Sequence, residues 1–467
     1  MNRWRWWLPV FASLILILAG CVTQTAPQAT EVEQPGQAAK EPAQAAEEPV
    51  AEEKATVTFW FDPPGGGEEA DCFVETVVNP FNEQSNAIFV DAVPQPDTWN
   101  ATRTAIAGGA GPDIIVTPGP SFVFELAQAG QLLALDEFVD QFGWSEVFVP
   151  WALSLGRVEG SLYSVPHELE TLVLYYNKTL FEEKGWEPPT TVDEMMALAE
   201  EIAAEDVIPF AHANADWRPA NEWFVGEFLN HVAGPEKVYE ALSGQISWTD
   251  PDFVDAIELL NQAQQNDWFM GGLDLYYTTG WDDFHAAFGS GEAAMNIEGT
   301  WIAADLDANF FTEENGGNEW DWVPMPSVSG EAIFDVGMGS TWSINKNAEN
   351  PQAAAEFLTH FFSPAVQAQL LRDCGTAPAP VRLEADALEG VDPRIAGIFA
   401  ALAKASDANN YGYTTWTFWP PKSDVYIYEE IEKVWAGEMT SEEYLQGLQE
   451  VFTEELEAGD IPPIPTR

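Results

Sequence analysis

Glu168 and Glu170 stand two residues apart in His167-Glu-Leu-Glu170, a spacing that on a β-strand turns both carboxylates to one face. Carboxylates paired at short range can serve a retaining glycosidase as acid and nucleophile. With 76 Asp and Glu in 467 residues such pairs arise cheaply, and no other catalytic spacing accompanies this one. No Gly-x-Ser-x-Gly elbow occurs, and Gly337-Met-Gly339 lacks the third glycine of a dinucleotide loop. Three Cys, five His and no Cys-x-x-Cys argue against a structural zinc site, so no metal and no cofactor are expected. What the chain does hold in quantity is 20 Trp among its many carboxylates. An indole face matches the apolar side of a polyhydroxylated ring, while Asp, Glu and Asn grip its hydroxyls. The same two features would hold an organic cation, such as a polyamine or quaternary amine, by cation–π attraction. A phosphorylated or sulfated ligand would want arginine partners, and Arg157 and Arg218 alone stand near the candidate positions.

The charge balance narrows the partners. Lys+Arg 18 against Asp+Glu 76 gives a net charge of −58, which leaves no basic patch for nucleic acid or for an anionic lipid surface. An aromatic content of 13% excludes disorder of the whole chain. The length suits two to four folding units of roughly 100–200 residues. At the start, Arg3 and Arg5 precede an apolar stretch from Leu8 to Gly20 that ends in Leu18-Ala-Gly-Cys21. That stretch is short for a permanent span. Its end resembles a bacterial lipoprotein signal, in which the cysteine receives diacylglycerol and becomes the first residue. Residues 1–20 are thus expected to be a signal peptide and 21–55 an acidic tether, too poor in aromatics to bury a core. An oxidising compartment permits a disulfide between Cys72 and Cys374, and two separate buried thiols remain equally open.

The elements that must position these residues alternate between strand and helix. Strands are expected at 56–61, 88–93 and 113–117, and helices at 68–83, 98–107 and 122–129. Such alternation points to a parallel α/β sheet, whose ligands sit beyond the carboxyl ends of the strands. Trp60, Asp62, the Gly65–Gly67 turn and 117–120 fall there. Further on the chain is richer in helix. Thr191-Val-Asp-Glu194 and Thr440-Ser-Glu-Glu443 read as capping boxes, and Asn350-Pro351 and Ser363-Pro364 as N-caps followed by proline.

Several segments in order then carry a resemblance. They are Gly111-Pro-Asp-Ile-Ile115, Leu126 to Asp136, Gly160 to Pro166, Leu174-Tyr-Tyr-Asn-Lys178, Gly291-Glu-Ala-Ala-Met295 with Gly299-Thr-Trp301, and Pro324-Met-Pro326. Together they resemble extracellular solute-binding proteins of ABC importers, in the family that includes maltose-type sugar receptors. The likeness covers nearly everything after the tether.

The resemblance implies an α/β, two-lobe, type II-like fold with hinge crossings near 166–170, 336–339 and 376–380 and a ligand cleft between the lobes. Residues 56–168 and 338–378 would form lobe one, 169–337 and 379–467 lobe two. Cys72 and Cys374 would share lobe one, which favours the bridge. Trp301 follows the family's glycine and would stack on sugar, with Trp342 and Trp217 as second platforms and Trp281 and Trp419 as further ones. Glu170 on the first crossing, with Asp62, would take hydroxyls. Asp113 is expected to hold the turn after Gly111. The implied role is extracytoplasmic capture of a sugar or oligosaccharide and delivery to a membrane permease by a monomer anchored through Cys21, without chemistry. An organic cation as ligand is the alternative, and a secreted glycoside hydrolase a further one.

Overall fold

The computed structural model describes residues 54–61, 72–95, 98–383 and 385–465. Cys21, Asp62 and the Gly65–Gly67 turn lie outside the described residues.

The described residues form two α/β lobes, each built on its own sheet. In the first, β1 (Ala55–Phe61) pairs in parallel with β2 (Ile88–Pro94) and β3 (Ile114–Thr117). These three strands lie within a residue of their expected bounds, and the helix Thr98–Ala107 matches its expected span. Alternation buries Val57, Phe59 and Phe61 of β1 on one face, where they meet Phe357 and Phe361 of the helix Pro351–Phe361. Asp113 ties this sheet together. Its Oδ2 accepts the backbone and hydroxyl of Thr58, both at 2.8 Å, and its Oδ1 accepts the Glu349 amide at 3.0 Å.

The chain then runs through β4 (Ser164–Glu170) into β5 (Leu172–Asn177), which opens the second sheet. There β5 is flanked by β7 (Ala293–Gly299) and β8 (Trp320–Pro324), both antiparallel, and β6 (Ile208–Phe210) pairs in parallel with β7. The second sheet is thus mixed. Every residue of β7 is buried, so helices cover both faces.

One long strand spans both bodies. β9 (Phe334–Ile344) pairs in parallel with β10 (Tyr411–Tyr413) through Phe334–Val336, and antiparallel with β3 through Thr341–Ile344. β4 runs alongside it from Ser164 opposite Ser343 to Glu170 opposite Gly337. Both expected capping boxes form, at Thr191 with Glu194 and at Thr440 with Glu443. Asn350 and Ser363 precede helices but do not cap them with their side chains. Asn350 donates instead to the Thr56 carbonyl at 3.1 Å, which holds its helix against β1. Among the described residues, no helix is long and apolar enough to cross a membrane.

Candidate functional site

Two adjoining cavities, of about 520 and 700 Å³, open where the lobes face each other. Both are lined by Trp99, Glu170, Trp217, Trp223, Trp301 and Gly339. The first lobe brings the carboxyl ends of β1 and β3, with Phe61 and Thr117, as expected for an α/β sheet. The second lobe brings indoles. The crossing strands form the floor, with His167, Glu168 and Ser340.

The floor is strained and tightly fitted. The β4–β9 ladder pairs Leu169 with Met338 and His167 with Ser340, but skips Glu168 opposite Gly339. Glu168 there has φ 58°, a left-handed conformation that costs a non-glycine residue about 1–2 kcal/mol. The Glu170 carboxylate lies directly over Gly339, where a Cβ would come within 2.1 Å of Oε1. Burial, and then the charge of Glu168, push the Glu170 carboxyl well above the usual range, while the Trp416 indole draws it back down. Glu170 can then donate as well as accept. Burial holds the neighbouring His167 imidazole down at about 3, so it is neutral at pH 7, and its Nδ1 meets Ser340 Oγ at 2.9 Å.

Trp301 is positioned by its own turn. Its ring folds back over Gly299, where a Cβ would lie 2.1 Å from the ring. The spacing Gly299-Thr-Trp301 therefore has a steric reason. The ring sits 4.9 Å from Trp223 and 6.0 Å from Trp416. Trp281 lines the smaller cavity from the first turn of helix Trp281–Ser290, with its amide held by Asp216 at 2.7 Å. Asp216 thus serves this helix start. Its neighbour Trp217 is 53% exposed and lines both cavities.

The other expected positions separate. Trp342 touches the smaller cavity but is only 4% exposed, stacked on Phe361 at 4.1 Å and 8°. It belongs chiefly to the core of lobe one. Trp419 is fully buried against Trp248, 5.3 Å between centroids, and lines neither cavity. Trp60 also lines neither, because strand alternation puts it on the face opposite Phe59 and Phe61, which are buried in the core and border the smaller cavity. Arg157 is occupied by Asp136 and Arg218 by Glu432 and Glu429, and neither lines a cavity. The cations present are Arg103 and Lys422, both in the larger cavity.

Residues that spacing did not single out complete the walls. Trp99 opens the helix after β2, so the rule that selected the carboxyl ends of β1 and β3 applies to it equally. Trp223 sits on helix Asn221–Phe228 and carries no local signal. Glu222 on the same helix faces Asp424 in the larger cavity. Burial, and then the charge of Asp424, raise Glu222 well above the carboxylate range, and burial lifts Asp424 to about 6. Asp305, in the smaller cavity, is also raised by burial. Among the described residues, no metal-ligating cluster lines the cleft.

Residues 76–396 match the family model described as bacterial extracellular solute-binding protein. A maltotriose-binding protein of Pyrococcus abyssi is 25% identical over 67% of this chain and 64% of its own length. An alpha-glucosides-binding periplasmic protein of Rhizobium meliloti is 26% identical over 54% of this chain and 57% of its own. The chain thus spans less than two thirds of either relative. A solved chitin oligosaccharide binding protein superposes with a TM-score of 0.70, covering 86% of this chain and 98% of its own, at 20% identity, a likeness of fold.

Proposed function

Because the chain belongs to the family of bacterial extracellular solute-binding proteins, we propose that it is the extracytoplasmic substrate-binding subunit of an ABC transporter and captures a sugar or oligosaccharide between its lobes. The observation that carries this reading is the wall of Trp99, Trp217, Trp223, Trp281 and Trp301 above a floor of Glu168 and Glu170. Indole faces take the C–H sides of sugar rings, and carboxyl groups take the hydroxyls at the edge. Two adjoining compartments, each in the ordinary range of ligand sites, suit a chain of rings better than one ring. Relatives named for maltotriose and alpha-glucosides support a sugar ligand.

On this reading lobe one comprises residues 56–168 and 338–378, lobe two 169–337 and 379–467, and closure pivots at the β4–β9 crossing. The closed monomer is handed to a permease. It does no chemistry on its ligand. Cys21 carries the lipid, and residues 21–55 form the tether to the outer face of the membrane.

An organic cation is the second reading, favoured by one observation. Among the described residues, Glu125, Glu168, Glu170, Glu222, Asp305 and Asp424 line the cavities against Arg103 and Lys422. Calorimetric titration of mono- and oligosaccharides, polyamines and betaines at about 0.05 and 0.5 M salt decides between them. A sugar should bind with about equal affinity at both, whereas a cation should weaken as its charge pairs are screened. Failure of every sugar in the panel, with a salt-sensitive amine bound, overturns the sugar reading.

A further inference from the structure

Outside the cleft, the second lobe buries three metal-ligating side chains around one point. Glu227 lies near the end of helix Asn221–Phe228, and His231 in the wider turn Leu229–Ala233 that continues it. Four residues apart, they share a face. Asp335 comes from the start of β9. The three are 1%, 2% and 1% exposed. His231 Nε2 lies 3.3 Å from Glu227 Oε2 and 3.5 Å from Asp335 Oδ1. One ligand atom from each residue falls within 4.8 Å of the other two.

Neither carboxylate oxygen of Glu227 and neither ring nitrogen of His231 has a partner of normal geometry. Burial, and then the charge of Asp335 and a hydrogen bond shared with it, oppose ionisation of Glu227, while His231 favours it. Two carboxylates and an imidazole gathered at one dry point make a ready ligand set for a cation. The surroundings are set to hold them in place. A Cβ at Gly412 would lie 1.8 Å from Asp335 Oδ1, so β10 presses its backbone on that carboxylate. Asn230, between the two helical ligands, accepts the Tyr413 amide at 3.1 Å and donates to the Tyr413 carbonyl at 3.0 Å, which fixes β10 to the helix. The Met325 and Pro326 carbonyls sit against the imidazole. With Nε2 turned to the carboxylates, Nδ1 is the nitrogen left to face them, the outer contact that orients a ligating histidine.

We propose that Glu227, His231 and Asp335 bind one divalent cation of the zinc class. A tetrahedral ion with bonds of about 2.0–2.1 Å sets its ligand atoms about 3.3–3.4 Å apart, which matches the two nitrogen–oxygen separations. Imidazole beside carboxylate suits zinc, manganese or iron, whereas calcium and magnesium take sets of oxygens. A carboxylate binding through both oxygens can supply the fourth contact. The ion would pin the foot of β9 to the helices of lobe two, two residues before Gly337 in the crossing. Five scattered His and no Cys-x-x-Cys hid the cluster, because Asp335 is 104 positions from His231 and reaches it only through the fold.

The test uses the full chain purified without chelator. Elemental analysis should find about one equivalent of zinc, manganese or iron. Chelation should lower Tm, and returning zinc should raise it by about 2–6 °C. Cobalt loaded in its place should give visible d–d absorption. His231→Gln should lose the retained metal, the cobalt spectrum and the zinc-induced rise together. If that variant does not fold, the chelation, zinc and cobalt responses of the unsubstituted chain decide. A metal-free chain whose Tm ignores zinc, manganese and cobalt overturns the proposal. So does equal metal retention by the variant, which would place the ion on the acidic surface.

Discussion

Trp301 donates its indole N–H to Glu298 Oε1 at 3.3 Å, and Glu298 is itself wholly buried in β7. The other Glu298 oxygen accepts the Asn296 amide at 2.6 Å and meets His285 Nε2 at 2.7 Å. His285 Nδ1 in turn contacts the Trp281 carbonyl at 3.0 Å. One buried polar chain thus holds the Trp301 indole from behind and ends on the Trp281 backbone, which lowers the entropy a ligand must remove to use the Trp301 face.

Trp301→Ala should therefore weaken binding of the best ligand by about 10- to 100-fold, as loss of a buried aromatic platform does. The fold should persist, because the ring borders the cleft. Glu298→Ala keeps the ring but frees it, and takes a partner from the Asn296 amide and from His285 Nε2. It should cost about 1–3 kcal/mol of stability and less affinity than the Trp301 change. Calorimetry and thermal unfolding of both variants check the order. Unchanged affinity in Trp301→Ala would show that the sugar lies elsewhere in the cleft.

Gly339→Ala should be damaging because of one neighbour. The added methyl meets Glu170 Oε1 at 2.1 Å, so the carboxyl must swing out of its place on the floor. Removing Glu170 first should remove the conflict. In a double-mutant cycle, Gly339→Ala should cost much less in a Glu170→Ala background, with a coupling of about 1–3 kcal/mol. Additive effects on affinity would refute the proposed packing relationship.

Stability should peak in mildly acidic solution. Burial lowers His167 to about 3, and burial with the His285 charge lowers His212 to about 3, both below the unfolded value near 6.5. Below 6.5 the unfolded chain takes up protons that the folded chain refuses, so stability falls as pH falls. By pH 4.5 each contributes a loss of roughly 2–3 kcal/mol. Glu170 and the Glu222–Asp424 pair act oppositely, since their raised carboxyls hold protons in the folded state. They add stability as pH falls from 8 toward 4.5. Thermal midpoints between pH 4 and 8 should show the maximum within about 4.5–6.5, and a midpoint rising steadily to pH 8 would contradict these assignments.

What the sequence made legible was set by how local each signal was. Capping boxes and strands of lobe one depend on a few neighbouring residues, and they appear where expected. Trp301 was found through Gly299, whose bare Cα the ring needs. Trp419 was misplaced because its loop position says nothing of Trp248, which buries it from 171 residues away. Trp60 was misplaced by choosing a strand end without assigning its faces, although Phe59 and Phe61 announce the buried side by alternation. Trp223 and the Glu222–Asp424 pair depend on two helices meeting, which no short pattern encodes.

The proposed anchor is separable from the cleft. Cys21→Ser should shift the protein from the membrane fraction to the soluble one while ligand affinity stays the same. Persistent membrane association of that variant would rule out lipidation as the anchor.

The structure joins Cys72 to Cys374, with Cα atoms 5.8 Å apart and a sequence separation of 302. The bridge closes lobe one upon itself, linking the segment before the Val74–Val78 turn to the end of helix Pro364–Cys374. Cross-linking across so long a loop should stabilise by about 2–5 kcal/mol, with weak dependence on its length. The effect should also reach the cleft. Phe73 follows Cys72, packs 5.1 Å from Phe61 and lines the smaller cavity, while Leu370 and Thr376 line it from the other side of the bridge. Mass spectrometry without reduction should therefore find the cross-linked peptide. The Cys72→Ser, Cys374→Ser double variant should unfold at a lower temperature and bind its ligand roughly 2- to 10-fold more weakly, because Phe73 loses its fixed place. Two thiols freely blocked in the native protein would remove the bridge, and a loss of stability without any loss of affinity would remove its link to the cleft.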